Sequence, residues 1–302
     1  MSEPIRGKST GTIRIGISGW RYEPWRGPFY PKKLRQKDEL KHAASILSTI
    51  EINGTFYSLQ SPDSFHLWAN EVPAGFVFAV KGPNFITHMR RLKDVDAALA
   101  NFFASGILRL GPTLGPILWQ LPPNFKFDRE RLESFFKLLP RDTDAIEKLA
   151  KHHDKRLKTP AWTKPLEKAP VRHAMEIRHA TFATPEFVDL LRRHDVALVC
   201  ADSVEWPRLM DVTSDFAYCR LHGSEELYAS GYDEASLEEW ADRAVSWARG
   251  QDPANADFAG KPRKRKSQKL DVFIYFDNDK KVKAPADAQR LMELVQQKLK
   301  SK

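Results

Sequence analysis

The stretch "HAMEIRH", residues 173–179, decides how the rest of the chain is read. Side chains alternate along a strand, so Met175 and Ile177 share one face while Glu176 and Arg178 share the other. Charges inside a sheet are costly unless they are paired or used. A strand that stays apolar on one face and ends in charges on the other fits the mouth of a parallel barrel, where strand ends share a polar ring.

The pattern recurs on both sides of this stretch. Eight short β-rich runs are visible: Ile13–Ser18, Thr49–Asn53, Phe76–Lys81, Ile117–Gln120, Ala174–Arg178, Ala197–Asp202, Ala217–His222 and Val272–Asp277. Amphipathic stretches follow most of them: Asp38–Ser48, Asp63–Asn70, Val95–Phe103, Arg129–Leu138, Pro185–Arg193, Ser236–Ala248 and Ala286–Leu299. The unit after the sixth run, "SVEWPRLMDVTSD" (203–215), is short and irregular. This alternation predicts an α/β fold, a single (β/α)8 TIM-type barrel over residues 13–299. Residues 1–12 are expected to be a flexible N-terminus. Residues 141–169 form a basic helical or loop insertion between the fourth helix and the fifth strand. No GxGxxG or P-loop fingerprint is present, which argues against a nucleotide cofactor.

The period of two then sorts the strand residues. Ile13, Ile15, Ile17, Phe78, Val80, Ile117, Trp119, Leu121, Met175, Ile177, Val272, Ile274 and Phe276 should face the helices. The opposite parity ends in Ser18, Glu51, Asn53, Lys81, Gln120, Glu176, Arg178, Asp202, Arg220, His222, Tyr275 and Asp277. All lie at the C-terminal ends of their runs, so they are expected to converge on one concave site.

Composition narrows the classes. The 302 residues carry a formal charge of +9, but the run "KPRKRKSQK" (261–269) alone contributes +6 and residues 141–169 contribute +3. Both segments connect a helix to the next strand and are expected on the bottom face, away from the chemistry. Nucleic acid is a candidate partner through 261–269, although a charge run is more simply a solvated loop. Two cysteines, Cys200 and Cys219, are too few for a disulfide framework and read as core residues of a reducing, cytoplasmic protein. No run is long and apolar enough for a membrane span, and no signal-peptide layout opens the chain.

Eight blocks occur in order: "IGISGWRYEPWRGPFYP" (15–31), "EINGTFYSLQSPDSFHLW" (51–68), "FVFAVKGPNFITHMRRL" (76–92), "LGPILWQLPPNF" (114–125), "HAMEIRHATF" (173–182), "CADS" (200–203), "CRLHGSEELY" (219–228) and "VFIYFDND" (272–279). Together they resemble the YecE-like family, domain of unknown function 72, from about Ile13 to Leu299. The resemblance implies a TIM-type barrel and no settled activity, so function has to be argued from the site. Two departures are Phe182, where the family commonly has Trp, and the 261–269 run.

The expected ring holds four acids, Glu51, Glu176, Asp202 and Asp277, against Lys81, Arg178 and Arg220, with His222 titratable. Three inward cations suit an anionic group. The leading expectation is a hydrolase or lyase for a phosphate-bearing substrate, with nucleic acid and sugar phosphates as candidates. Glu176 or Glu51 would be general base and His222 general acid, with Asp202 also in the catalytic set. Asn53, Gln120, His88, Trp20, Tyr57, Tyr275 and Asp277 would contact substrate. Arg90 and Arg91 would extend an anion-binding rim beside His88. A divalent metal on Glu51, Glu176, Asp202 and His222 is a candidate cofactor. A second reading is a glycan-processing enzyme using Glu51 and Glu176 as paired carboxylates, which work about 5–9.5 Å apart. A third is a non-catalytic ligand- or nucleic-acid-binding protein. Against all three stands a pre-paired ion network that merely fills the barrel top.

Overall fold

The computed structural model describes residues 3–223, 231–261, 269–278 and 282–300. Nine strands form one sheet: β1 (Ile5–Arg6), β2 (Thr12–Ser18), β3 (Thr49–Ile52), β4 (Val77–Lys81), β5 (Leu114–Gln120), β6 (His173–Glu176), β7 (Val196–Asp202), β8 (Phe216–Leu221) and β9 (Asp271–Phe276). Strands β2 to β9 pair in chain order and in parallel, and β9 returns to pair with β2 from Ile13↔Val272 to Ile17↔Phe276. The barrel is closed with eight parallel strands. Strand β1 lies outside that ring. It pairs antiparallel with β2 through Ile5↔Ile13, so part of the segment expected to be flexible is tied to the sheet.

The helices are α1 (Glu39–Ile46), α2 (Gly54–Tyr57), α3 (Pro62–Glu71), α4 (Asp96–Ala104), α5 (Arg129–Leu138), α6 (Thr143–Ala150), α7 (Pro185–Arg193), α8 (Glu234–Ala248) and α9 (Ala284–Lys300). Their starts follow local chemistry. Thr184 caps α7 by accepting from Phe187 N–H with Pro185 at the first turn, and Asp128 and Asp233 cap α5 and α8 in the same way. The one-turn α2 and the insertion helix α6 are additions to the seven helices read from periodicity. The unit after β7 carries no α-helix.

Strand parity separates two cores. Ile13, Ile15, Ile17, Phe78, Val80, Ile117, Trp119, Met175 and Ile274 pack outward against the helices. Ala79, Leu118, Ala174, Ala197, Val199, Phe216, Tyr218, Phe273 and Tyr275 fill the barrel interior. Gly16 belongs to that inner face. A Cβ there would stand 1.8 Å from the Thr49 carbonyl oxygen, so only glycine lets β2 and β3 approach this closely.

The insertion does not stay at the bottom. Asp154 accepts from the Asn101 side chain on α4, and Arg156 lines a cavity of about 240 Å³ beside Phe56, Tyr57 and Phe85, in the loops that follow β3 and β4. Most of the 261–269 run lies outside the described residues, so its expected place on the bottom face goes without description. Among the described residues no helix is long and apolar enough to cross a membrane.

Candidate functional site at the barrel mouth

The inner face of the strand ends is organised by one guanidinium. Arg220, on β8, is completely buried. Its Nη1 donates to Glu176 Oε2 at 2.8 Å, and its Nη2 donates to Glu51 Oε1 at 2.9 Å and to Asp277 Oδ2 at 2.8 Å. Nε donates to Glu51 Oε2 at 3.1 Å. Three carboxylates from β3, β6 and the end of β9 therefore meet on a single cation.

Each carboxylate has further partners. Glu51 accepts from Ser18 at 2.9 Å and from the Tyr218 hydroxyl at 2.6 Å. Glu176 accepts from Gln120 at 2.9 Å and from Arg178 Nε at 2.8 Å. Asp277 Oδ2 lies 3.1 Å from His222 Nδ1. Burial alone would raise the Glu176 carboxyl, but Arg178, Arg220 and His222 outweigh it and hold the group well below its ordinary range. Asp277 follows the same logic, with burial opposed mainly by Arg220 and His222. Burial favours a neutral guanidinium at Arg220, yet Asp277, Glu51 and Glu176 push it well above its usual value. Burial lowers His222 despite the Asp277 hydrogen bond, which keeps the imidazole neutral at pH 7.

Lys81 differs from the arginines. It ends β4 on the same inner face and is only 7% exposed. Among the described residues its ammonium meets no carboxylate within ion-pair distance and no hydrogen-bond acceptor. Its recorded contact is the Phe56 ring, 4.3 Å from Nζ to the centroid. Burial, then the neighbouring Arg220, lower the ammonium to about 8, although Glu51 and Asp277 act in the opposite sense.

The loop after β4 adds the other wall. A π-helical turn, Phe85–Met89, sets His88 edge-on against Phe56 at 5.1 Å, with Nδ1 2.9 Å from the Thr87 hydroxyl. Burial and the nearby Arg178 and Lys81 lower His88 to about 4. Arg91, Leu92 and Asp94 then take left-handed φ angles of 50°, 66° and 48°. Strained turns and π-turns of this kind gather at functional sites. Just past β6 the Arg178 guanidinium lies over the Trp206 ring at 3.8 Å, and Trp206 meets His222 edge-on at 5.1 Å.

Glu51, Lys81, Gln120, Glu176, Arg178, Arg220, His222 and Asp277 thus converge as parity predicts. Several candidates do not. Asp202 shares the outward parity of Leu198 and Cys200, accepting from Trp240 Nε1 at 3.2 Å in α8 and from Arg208 at 3.1 Å. Tyr275 does face inward but one layer lower, its hydroxyl 2.8 Å from the Thr49 hydroxyl. Trp20 packs edge-on against Trp68 in the outer core. Tyr57 is 76% exposed and borders the cavity beside Phe56 rather than the ion network. Asn53 follows Glu51 by two residues, and its Oδ1 is buried without a hydrogen-bond partner among the described residues. Arg90 is bonded to Asp94 and Arg91 to Asn124, so neither rim arginine is turned to the mouth cations.

The expected roles change accordingly. Glu51 and Glu176 are fully buried counterions of Arg220, not open bases. The metal set is broken, since Asp202 faces the helices and Arg220 occupies the space between Glu51 and Glu176. No three His, Cys, Asp or Glu side chains among the described residues converge as metal ligands. Sequence reasoning missed Tyr218 as a Glu51 ligand. Its inward parity with Arg220, two residues on, was the available signal.

Comparison with known proteins places the chain. It matches the model of the family described as "Protein of unknown function DUF72" over residues 14–302, and it belongs to that family. A curated relative, UPF0759 protein YunF of Bacillus subtilis (strain 168), is 26% identical over 125 residues. The match covers 40% of this chain and 43% of YunF, less than half of the relative's length. The crystal structure of a DUF72 family protein from Thermotoga maritima MSB8 is similar with a TM-score of 0.68 at 24% identity, covering 94% of this chain and 98% of that one. A DUF72 family protein from Enterococcus faecalis V583 gives 0.64 at 15% identity, covering 94% and 95%.

Proposed function

We propose that this DUF72 protein is a hydrolase or lyase that takes a small anionic substrate, bearing phosphate or carboxylate, at the C-terminal mouth of the barrel. Lys81 and Arg178 are the cations that meet the anion. The observation that carries this reading is the ammonium of Lys81, which meets no carboxylate within ion-pair distance among the described residues and faces the Phe56 ring. A buried charge costs several kcal/mol unless it is paired, and the three nearby carboxylates are held by Arg220, Arg178 and His222. An incoming anion supplies the missing partner.

The ion network then has a supporting role. It holds Glu51, Glu176 and Asp277 in place, keeps Glu176 and Asp277 ionised, and fixes Arg178 over Trp206. His222, neutral and oriented toward Asp277, is the group suited to proton transfer at the mouth. The paired-carboxylate reading of Glu51 and Glu176 fits less well, because Arg220 donates to both and neither is exposed.

The test is equilibrium binding of inorganic phosphate, a sugar phosphate and the corresponding neutral sugar. The proposal expects the two anions to bind and the neutral sugar to bind at least tenfold more weakly. Lys81→Met should abolish anion binding. Equal affinity for the sugar and its phosphate would overturn the reading.

A further inference from the structure

Lys81 has a second property that anion binding alone does not require. We infer that Lys81 is an amine nucleophile, forming an imine with the carbonyl carbon of a substrate that also carries an anionic group. The substrate class is a 2-oxo acid or an aldose or ketose phosphate. This rests on the mouth being the substrate site, and it assigns that site its bond-forming atom.

The geometry is that of an activated amine rather than of a structural cation. A lysine kept for stability is held by a carboxylate, as Arg220 is held by three. Lys81 stands in the same buried ring but has no such partner among the described residues, and its Nζ faces an aromatic ring instead. Its neighbour of like charge, Arg220, is pinned by hydrogen bonds and cannot move away. Desolvation beside a fixed cation is a recognised way to make a lysine amine available near neutral pH. With the ammonium lowered to about 8, roughly a tenth of the group is free amine at pH 7. Arg178, just past the end of β6 and near His88 as Lys81 is, would hold the anionic group while the amine reaches the adjacent carbonyl.

The step balances without an oxidant or a metal. The ammonium first gives one proton to water. The nitrogen lone pair attacks the carbonyl carbon, the C–N bond forms, and the C=O π pair moves to oxygen, which takes a proton as the now cationic nitrogen releases its second proton to give the neutral carbinolamine. The carbinolamine hydroxyl then takes a second proton and leaves as water as the nitrogen lone pair forms C=N. The net change is ammonium plus carbonyl to iminium plus water. The iminium withdraws electrons from the neighbouring carbon, which is the chemistry a lyase needs.

The experiment is reductive trapping of the full chain. The protein is incubated with pyruvate or with glycolaldehyde phosphate, sodium cyanoborohydride is added, and the adduct is located by peptide mass mapping. The inference expects one dominant adduct on Lys81 with at least one probe, forming faster as pH rises through about 8. Which probe labels Lys81 tells carboxylate from phosphate as the preferred anion. Lys81→Arg keeps the charge but removes the primary amine, so the adduct should be lost. Labelling spread over surface lysines, equal in wild type and Lys81→Arg, would overturn the inference even where phosphate binds normally. Failure of phosphate binding in the wild type would instead overturn the anion reading beneath it. The peptide map of the wild type decides the matter by itself if the variant does not fold.

Discussion

Arg220 Nη1 donates to Glu176 Oε2 at 2.8 Å, and neither side chain has any exposed surface. Removing one member of such a pair leaves an uncompensated buried charge. Arg220→Met leaves Glu51, Glu176 and Asp277 together without their shared cation. It should cost at least about 3–5 kcal/mol. Denaturant unfolding of the variant measures this directly, and a cost below about 1 kcal/mol would show that the carboxylates find other partners.

Arg178→Met should behave differently. Glu176 keeps Arg220 and Gln120, so the loss among the described residues is one charge-assisted hydrogen bond and the stacking on Trp206, about 1.5–3 kcal/mol. Phosphate affinity should fall at least tenfold in the same variant. Unchanged phosphate binding beside this modest destabilisation would assign Arg178 to the scaffold alone.

Lys81→Met should stabilise the protein while abolishing anion binding. The ammonium is lowered from 10.5 to about 8 in the folded state, so below pH 8 folding carries the cost of keeping it charged. That cost is about 3 kcal/mol and is relieved as pH rises from about 8 to 10.5, because the unfolded chain binds the extra proton across that window. The stability difference between wild type and variant should therefore shrink above pH 8. A variant less stable than wild type at pH 7 would mean that Lys81 serves the fold.

Acid should act through the carboxylates. The folded-state values of Glu176 and Asp277 are below their ordinary ranges, so both contribute stability that is complete above the unfolded values. It is lost progressively as pH falls below about 4.5 toward the lower folded-state values. Glu176→Gln should flatten the slope of stability against pH between about 3 and 5. An unchanged slope would remove Glu176 from the acid response.

Asp202→Asn tests the orientation of β7. The residue faces Trp240 and Arg208, outside the ion ring. Phosphate affinity should stay within twofold of wild type while stability falls by about 1–2 kcal/mol. Loss of phosphate binding would place Asp202 in the mouth after all.

How far the sequence led can be traced residue by residue. Where a strand is apolar on one parity only, as in Met175, Glu176, Ile177 and Arg178, the alternation alone tells inside from outside. Strand β7, "VALVCAD", is apolar on both parities because both faces are buried, so no period-two signal marks where Asp202 points. Tyr275 has the correct parity, but its height in the barrel depends on the register between β9 and its neighbours.

The sequence by itself determined the eight strands, the inward faces of those that alternate in polarity and the convergence of most of their charged ends, since each of these follows from local periodicity. Only the tertiary structure decided which charge matches which. Glu51, Glu176 and Asp277 are far apart in the chain, and barrel closure brings all three onto Arg220. The same closure leaves Lys81 facing Phe56 with no carboxylate of its own among the described residues. Pairing depends on distances across the barrel, which no local pattern encodes, and that pairing separates the scaffold of this mouth from its candidate chemistry.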